Sequence, residues 1–417
     1  MIQRTILTQI KPWLKKRPFI ILKGARRVGK TTILKHIFAQ TKGAKAFLIC
    51  DTFQLQAFLQ TPADLIFYLT KKYNFSAKQP FWLFLDEFQY LPQAGLFLKN
   101  LYDLYPHLKI IASGSSSLEI TKNTEFLTGR SVQFLMSPLS FYEFFVYRMQ
   151  QKVKPEEFTT FAYAQKFFQL YAAELKRFFL EYLAWGGYPE VVLEPAEKIK
   201  QRILAEYIAR YIEKDIVHFL KIENITAFNN LLKLLASNIG QLINLNEIAN
   251  TLGTAYKTIQ KYTAILEGSF LIKRIPPFYK NIRSEVSKMP KIYFTDLGVR
   301  NALLGRNESL LTAIDLGNEV ENFVFQIFQT NCQKIYFYRT ISGSEIDFVL
   351  EAEPYSFYEV KYRNKLKSIL AYKNFAKKYP LLKTRKTVIT KNLLTKKDEI
   401  TYIPASLFGL FPPLNDL

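Results

Sequence analysis

The residues from Gly24 to Thr31, GARRVGKT, fit the spacing GxxxxGK[ST], with Thr32 next in line. A loop of this kind turns its backbone amides towards phosphate oxygens, which Gly24 and Gly29 permit because they carry no Cβ. Ala25, Arg26, Arg27 and Val28 make the intervening turn, Lys30 spans the β- and γ-phosphates of ATP, and the Thr31 hydroxyl is the expected ligand of Mg²⁺. Fifty-five residues after Thr31, the apolar run of WLFLDEFQ ends in the adjacent acids Asp86 and Glu87. Asp86 is expected to hold Mg²⁺ directly or through water, and Glu87 to orient and deprotonate an attacking water. Beyond them, IIASGSSS (Ile110–Ser117) offers Ser113 or Ser115 as a sensor of the γ-phosphate. Arg130, in LTGRS, is a candidate arginine finger for a neighbouring subunit's nucleotide, a structural salt bridge being its alternative. A finger requires an oligomer.

A second constellation lies near the other end of the chain. GSEIDFVLEAEPYSFYEVKYR places Asp347 on one strand and Glu359 with Lys361 on the next. Residues two apart on a strand share a face, so Glu359 and Lys361 project together, and Asp347 reaches the same place across the pairing. This is the D…ExK arrangement of restriction-type nucleases, in which two carboxylates hold Mg²⁺ and the lysine positions the attacking water. The same fold also serves as a DNA clamp without cleavage, and both readings remain open.

The elements that must position these groups follow from the apolar pattern. Pro18–Leu22, Ala46–Cys50, Phe81–Leu85, Lys109–Ser113 and Val132–Leu135 alternate with helical lengths, which predicts a parallel, doubly wound sheet. The extra strand between loop and carboxylates, with the adjacent acid pair, favours ATPases with a catalytic glutamate over GTPases and kinases. From Phe141 to Phe219 the pattern becomes amphipathic, broken at Trp185, Gly186, Gly187 and Pro189, as expected of a helical lid or connector. Ala227–Ile239, Leu245–Leu252 and Thr254–Leu266, with Thr254 as N-cap, then precede the strand pair Phe270–Ile275 and Lys291–Phe294. Three helices and a hairpin make a winged helix-turn-helix. Its expected recognition helix presents Lys257, Thr258, Gln260 and Lys261, and Lys273, Arg274, Lys280, Arg283, Lys288 and Lys291 make the wing basic against Glu285 alone. A helix over Asn318–Gln329, strands at Lys334–Arg339, Glu345–Glu351 and Ser356–Lys361, and a basic helix complete a small α/β domain. The expected boundaries are 1–145 for the ATPase core, 146–225 for the lid, 226–300 for the winged helix and 306–417 for the C-terminal domain.

Composition narrows the chemistry. Lys and Arg outnumber Asp and Glu by 57 to 35, a formal charge of +22 that favours a polyanionic partner such as DNA. From Lys361 to Lys397 there are thirteen basic residues and no acidic one, interspersed with Tyr362, Tyr372, Phe375 and Tyr379, which reads as a folded basic face. Cys50 and Cys332, with His36, His107 and His218, are too few for a disulfide framework or a zinc cluster, so carboxylates, lysine and a hard metal must carry the chemistry. No run of 18 apolar residues occurs and Met1–Lys16 lacks an apolar signal core, so a cytoplasmic protein without a membrane anchor is expected.

Taken in order, GARRVGKTT, WLFLDEFQ, IIASGSSS, LTGRSVQFLMSPLSFYEF, the YIEKDI run Tyr211–Ile216, and EIDFVL with EVK resemble the prokaryotic AAA+ ATPases that carry a C-terminal domain of unknown function with a restriction-endonuclease-like fold. The resemblance implies an AAA+ core, a helical lid, a winged helix and a nuclease-like domain, and it makes Glu321 in GNEVENFV the further acid of that domain, with Glu319 as a substitute. The leading expectation is a Mg²⁺- and ATP-dependent machine that remodels or translocates on DNA, branched or junction DNA included, working as a homo-oligomeric ring such as a hexamer. The alternatives are an ATP-switched regulator of a protein partner and an ATP-gated, metal-dependent DNA nuclease.

Overall fold

The computed structural model describes residues 2–115, 127–150, 153, 160–210, 222–278, 289–313, 315–331, 334–340, 343–351, 353–363, 370–380 and 382–411. Tyr211–Ile216, Lys280, Arg283, Glu285, Lys288, Cys332 and His218 lie outside them. The chain forms two compact units, one of Gln3–Pro138 with Gly268–Leu271, the other of Leu139–Glu267 with Ile272–Leu417. Apart from Gly268–Leu271, the three later segments expected from the sequence fall in the second unit.

In the first unit, β1 (Phe19–Lys23), β2 (Lys45–Ile49), β3 (Phe81–Asp86), β4 (Leu108–Gly114) and β5 (Ser131–Leu135) form a wholly parallel sheet in the order β2-β3-β4-β1-β5. A parallel sheet covered on both faces is built from continuous apolar strands, and β1 and β3 bury nearly every residue. Phe19, Ile21, Leu83, Leu85, Ile110 and Ala112 share one core with Leu65, Leu69, Leu98 and Leu101 from the surrounding helices. Two of these helices matter below: α1 (Lys30–Gln40) follows β1, and α2 (Ala94–Leu104) precedes β4.

The second unit begins with α3 (Phe141–Met149), whose Ser140 cap and Glu143 form a reciprocal capping box, and α4 (Ala172–Trp185). Next come α5 (Ile225–Ser237), α6 (Leu245–Thr251) and α7 (Tyr256–Gly268), then β6 (Ile272–Ile275) antiparallel to β7 (Lys291–Phe294). The three-helix-and-hairpin order is as expected, although α7 starts at Tyr256, which moves Thr254 out of the cap position. α8 (Leu297–Leu303) and α9 (Gly317–Asn331) lead into a mixed sheet of β8 (Ile335–Arg339), β9 (Glu345–Leu350), β10 (Tyr355–Lys361), β11 (Thr384–Thr390), β12 (Thr395–Lys397) and β13 (Ile400–Pro404). Its order is β12-β13-β11-β10-β9-β8, with α10 (Leu370–Lys378) between β10 and β11.

Packing runs from the hairpin into the mixed sheet. Phe278, just past β6, donates its amide to Phe337 of β8 at 2.6 Å and sits in one core with Tyr338, Ile346, Phe357, Phe375 and Tyr379. The side-chain amide of Asn322 on α9 pairs in both directions with the backbone of Phe294 on β7, at 2.7 and 2.8 Å. A buried polar network completes the joint. Asp296 accepts from the amides of Gly187 at 2.8 Å and Val299 at 2.9 Å, and burial pushes its carboxyl up to about 6 against those amides. Arg300 donates to Ala236 O and Glu319, and Asn301 to the carbonyls of Leu183 and Ala184 at the end of α4.

The network depends on backbones that touch. A Cβ on Gly298 would lie 2.0 Å from the Trp185 carbonyl oxygen. Gly298→Ala is therefore expected to destabilise the protein by about 1–3 kcal/mol, whereas Gly317→Ala, whose Cβ would meet only Asp315 Oδ1 at an ordinary 3.4 Å, stays within about 0.5 kcal/mol. Thermal unfolding followed by circular dichroism checks this, and equal midpoints for the two variants would refute the close contact.

Candidate functional site

The loop after β1 is built for a phosphate. Gly29, at φ 98°, takes a left-handed turn that starts α1 with no side-chain cap, leaving the first helical amides and the positive end of the helix available to an anion. Gly24 closes the other side, since a Cβ there would lie 2.1 Å from the carbonyl oxygen of Met136. Arg4, which no sequence motif singles out, pins the loop from behind by donating to Val28 O at 2.8 Å and Ser137 O at 2.7 Å. Lys30 is buried and donates to the carbonyls of Gly24 and Ala25 at 3.0 and 2.8 Å. Burial lowers its pKa to about 8 against the pull of Glu87 and Asp86. Arg26 donates to the Tyr90 hydroxyl at 3.2 Å.

The acid pair stands opposite. β3 pairs with β4, β4 with β1, and the strand ends bring Asp86 beside the loop, where Thr31 Oγ1 donates to Asp86 Oδ2 at 2.7 Å. Glu87 turns away from the strand in a left-handed conformation, φ 55°, which aims its carboxylate differently from that of Asp86. Ser113 and Ser115 both contact the acid pair. Ser113 Oγ donates to Asp86 Oδ1, while Ser115 Oγ donates to Glu87 Oε2 at 2.8 Å. Gln89 adds a donor to the same Glu87 oxygen at 2.5 Å and another to Ser115 at 3.2 Å. It was legible only as the last letter of WLFLDEFQ. The hydroxyl and carboxylate of Thr31 and Asp86, beside an uncapped helix start, are oxygen donors that fit Mg²⁺ and a polyphosphate.

Arg130 lies elsewhere. Its carbonyl accepts from Phe19 at the start of β1, whereas the loop follows Lys23, so four strand steps, roughly 13 Å, separate them along the sheet. Its guanidinium makes a two-pronged pair with Asp103 of α2, at 2.9 and 3.2 Å.

In the second unit, the C-terminal acids do converge. Asp347 on β9 and Glu359 on β10 are buried, Asp347 Oδ2 accepts from the Val360 amide at 2.7 Å, and Lys361 pairs with Glu359 Oε1 at 2.8 Å. Glu321 joins them from α9. Glu319 does not, because it is the partner of Arg300 at 2.7 Å. Two residues absent from the expected set complete the cluster. Glu345 lies on β9 two residues before Asp347, and Lys291 reaches in from β7 with its ammonium 3.0 Å from Glu321, bonded to Glu345, and 3.8 Å from Asp347 Oδ1. Burial works against the Lys291 charge, yet Glu321, Asp347 and Glu345 together hold its pKa above the usual lysine value. Burial, then Asp347, pushes Glu321 up.

Lys291 was grouped with the basic wing; the structure corrects this, since it is 3% exposed and turned towards carboxylates. Lys273 and Arg274 of the same hairpin pair with Glu267 at 3.2 and 2.8 Å. Lys257 and Lys261 on α7 are exposed. Among the described residues no helix is long and apolar enough to cross a membrane.

Residues 16–145 match the family model of an AAA domain, and residues 176–310 and 316–408 match two domains of unknown function, DUF8612 and DUF4143. The chain is 27% identical over 385 residues to an uncharacterized protein of Methanocaldococcus jannaschii, spanning 89% of this chain and 82% of that one. It is 24% identical over 337 residues to an uncharacterized protein of Haemophilus influenzae, spanning 78% of each. Among solved structures, the Thermotoga maritima RuvB Holliday junction branch migration motor is 14% identical with a TM-score of 0.32, covering 66% of this chain and 90% of that one. A DNA replication initiation factor is 16% identical with a TM-score of 0.25, covering 63% and 86%. With its loop on a wholly parallel sheet and the AAA-domain match over residues 16–145, the first unit is a parallel-sheet P-loop core of the AAA type, and a domain built on a mixed sheet lies towards the C-terminus.

Gly24→Ala forces the loop off the Met136 carbonyl and is expected to weaken binding of a fluorescent ATP analogue at least about tenfold, one lost contact of roughly 1.4 kcal/mol or more. Unchanged affinity in a fluorescence titration would show that the loop does not need this approach.

Proposed function

We propose that the protein is a Mg²⁺-dependent ATPase of the AAA+ type that acts on DNA. The observation that carries the ATPase reading is the 2.7 Å contact between Thr31 and Asp86 beside a buried loop lysine and an uncapped helix start. Thr31 and Asp86 would hold the Mg²⁺, which supplies charge neutralisation at the phosphates. Lys30 and the amides of residues 24–32 grip the phosphate oxygens. Glu87 positions the attacking water and takes its proton, and Ser115 with Gln89 holds that carboxylate in place through Glu87 Oε2. Ser113, bonded to Asp86, links the end of β4 to the same group.

DNA as the partner is supported by the +22 charge and by the exposed Lys257 and Lys261 on the helix of a winged-helix-like order. Lys273 and Arg274 contribute less to that face, because Glu267 already offsets them. Arg130 reaches no phosphate on its own chain, so its finger role belongs to a homo-oligomeric ring in which it leaves Asp103 for a neighbour's nucleotide.

The test is the steady-state ATPase rate without nucleic acid and with single-stranded, duplex and four-way-junction DNA. Glu87→Gln is expected to retain ATP binding and lose roughly 10²–10⁴-fold in rate, and at least one DNA form is expected to stimulate the wild type, less so as salt rises. A rate indifferent to every DNA at low salt removes the DNA reading and leaves a protein partner to be sought.

Acidity gives an independent check. A bound phosphate raises the pKa of Lys30, which lies at about 8 beforehand, so above that pH binding must take up a proton. Apparent ATP affinity is expected to stay level up to about pH 8 and to fall by up to about tenfold per pH unit beyond it. A flat profile to pH 9.5, roughly one and a half units past that point, would remove Lys30 as the phosphate-gripping cation.

A further inference from the structure

The acids of the C-terminal sheet surround a cation that the chain itself supplies. Lys291 Nζ sits 3.0 Å from Glu321 Oε1 and 3.8 Å from Asp347 Oδ1, and bonds Glu345 as well. Tyr293, two residues on and so on the same face of β7, donates its hydroxyl to that Glu321 oxygen at 2.6 Å. The other Asp347 oxygen is taken by the Val360 amide, and Glu359 Oε1 by Lys361. Among the described residues, no three His, Cys, Asp or Glu side chains are arranged to hold one metal ion. The donor set as it stands therefore does not fit a divalent cation.

We propose that Lys291 is the resident cation of this site: its ammonium lies among Glu321, Glu345 and Asp347, beside the D…ExK set, and supplies the positive charge that a divalent metal would bring, so the domain keeps the architecture of that site without metal-dependent cleavage. Three physical arguments support the assignment. Carboxylates withdrawn from water must be paired, and one ammonium bonds Glu321 and Glu345 and lies within ion-pair distance of Asp347. A divalent ion would need oxygens at about 2.0–2.6 Å, whereas those of Glu321 and Glu345 are bonded to the ammonium, and an ion set against Asp347 would lie beside that second positive charge. The lysine is also built in rather than laid over the site, since Lys291 pairs through its backbone with Ile275 and Leu242. The cluster thus ties the hairpin to the mixed sheet. One atom departs from this closed pattern: Glu359 Oε2 is buried with no protein partner.

The inference does not rest on the ATPase reading, and its test omits nucleotide. Full-length wild type and Asp347→Asn are titrated with Mn²⁺, free ion being read by electron paramagnetic resonance, and both are incubated with plasmid DNA and Mn²⁺. The expected result is the same isotherm for both proteins and no cleavage that depends on Asp347. A wild-type site lost in Asp347→Asn, or cleavage lost with it, overturns the proposal. Lys291→Met, which exposes the role from the other side, is expected to melt at a lower temperature, to gain an Asp347-dependent Mn²⁺ site and to recover stability when Mn²⁺ is added. A folded Lys291→Met protein without such a site overturns the proposal too, and if that variant fails to fold, the comparison of wild type with Asp347→Asn decides alone.

Discussion

A carboxylate withdrawn from water has to be met by donors, and in both units that requirement organises the chemistry-bearing residues. Asp86 is met by Thr31 and Ser113, and Glu87 by Ser115 and Gln89, so two neighbouring acids acquire separate, fixed directions. In the second unit the same rule draws Asp296 onto the backbone amides around Gly187 and draws Glu319 onto Arg300. It also assembles Glu321, Glu345 and Asp347 around Lys291. Leaving any one of these groups unpaired would cost far more than an exposed ion pair contributes, which is why they act as constraints on the fold.

The second unit shows how such constraints join separate stretches of sequence. The hairpin, α9 and the mixed sheet are separate stretches of sequence, each with its own apolar pattern. Yet Phe278 fills the core beneath β8–β10, Asn322 completes the backbone pairing of Phe294, and Lys291 neutralises acids on both α9 and β9. Removing the hairpin would open an apolar core and strand three carboxylates at once. A unit held in this way is cooperative.

Charge has two uses in this chain that composition cannot separate. Among the excess of basic residues, Lys257 and Lys261 remain exposed on α7. Lys273, Arg274 and Lys291, close by in sequence and identical in type, are instead engaged with Glu267 or buried among acids. Only the exposed group is available to a partner without first breaking an internal pair.

The sequence by itself determined the class of the first unit. The five strands fall within a residue of Pro18–Leu22, Ala46–Cys50, Phe81–Leu85, Lys109–Ser113 and Val132–Leu135, because a buried parallel strand must be continuously apolar and ends where polar residues begin. The glycines and Lys30 of the loop were legible for a similar reason, since a close backbone turn and a phosphate-spanning cation admit few residue types. The order of Asp347, Glu359 and Lys361 was legible from strand periodicity. Tertiary structure alone decided which polar groups meet. Ser113 and Ser115 turn towards the carboxylates, Arg130 joins Asp103 at the far end of the sheet, Arg4 reaches the loop from the start of the chain, and Lys291 enters the acidic cluster from a strand 56 residues before Asp347. Local pattern records which face of an element is apolar, but the partner of a buried charge is chosen by chain packing across long sequence separations, where periodicity carries no signal.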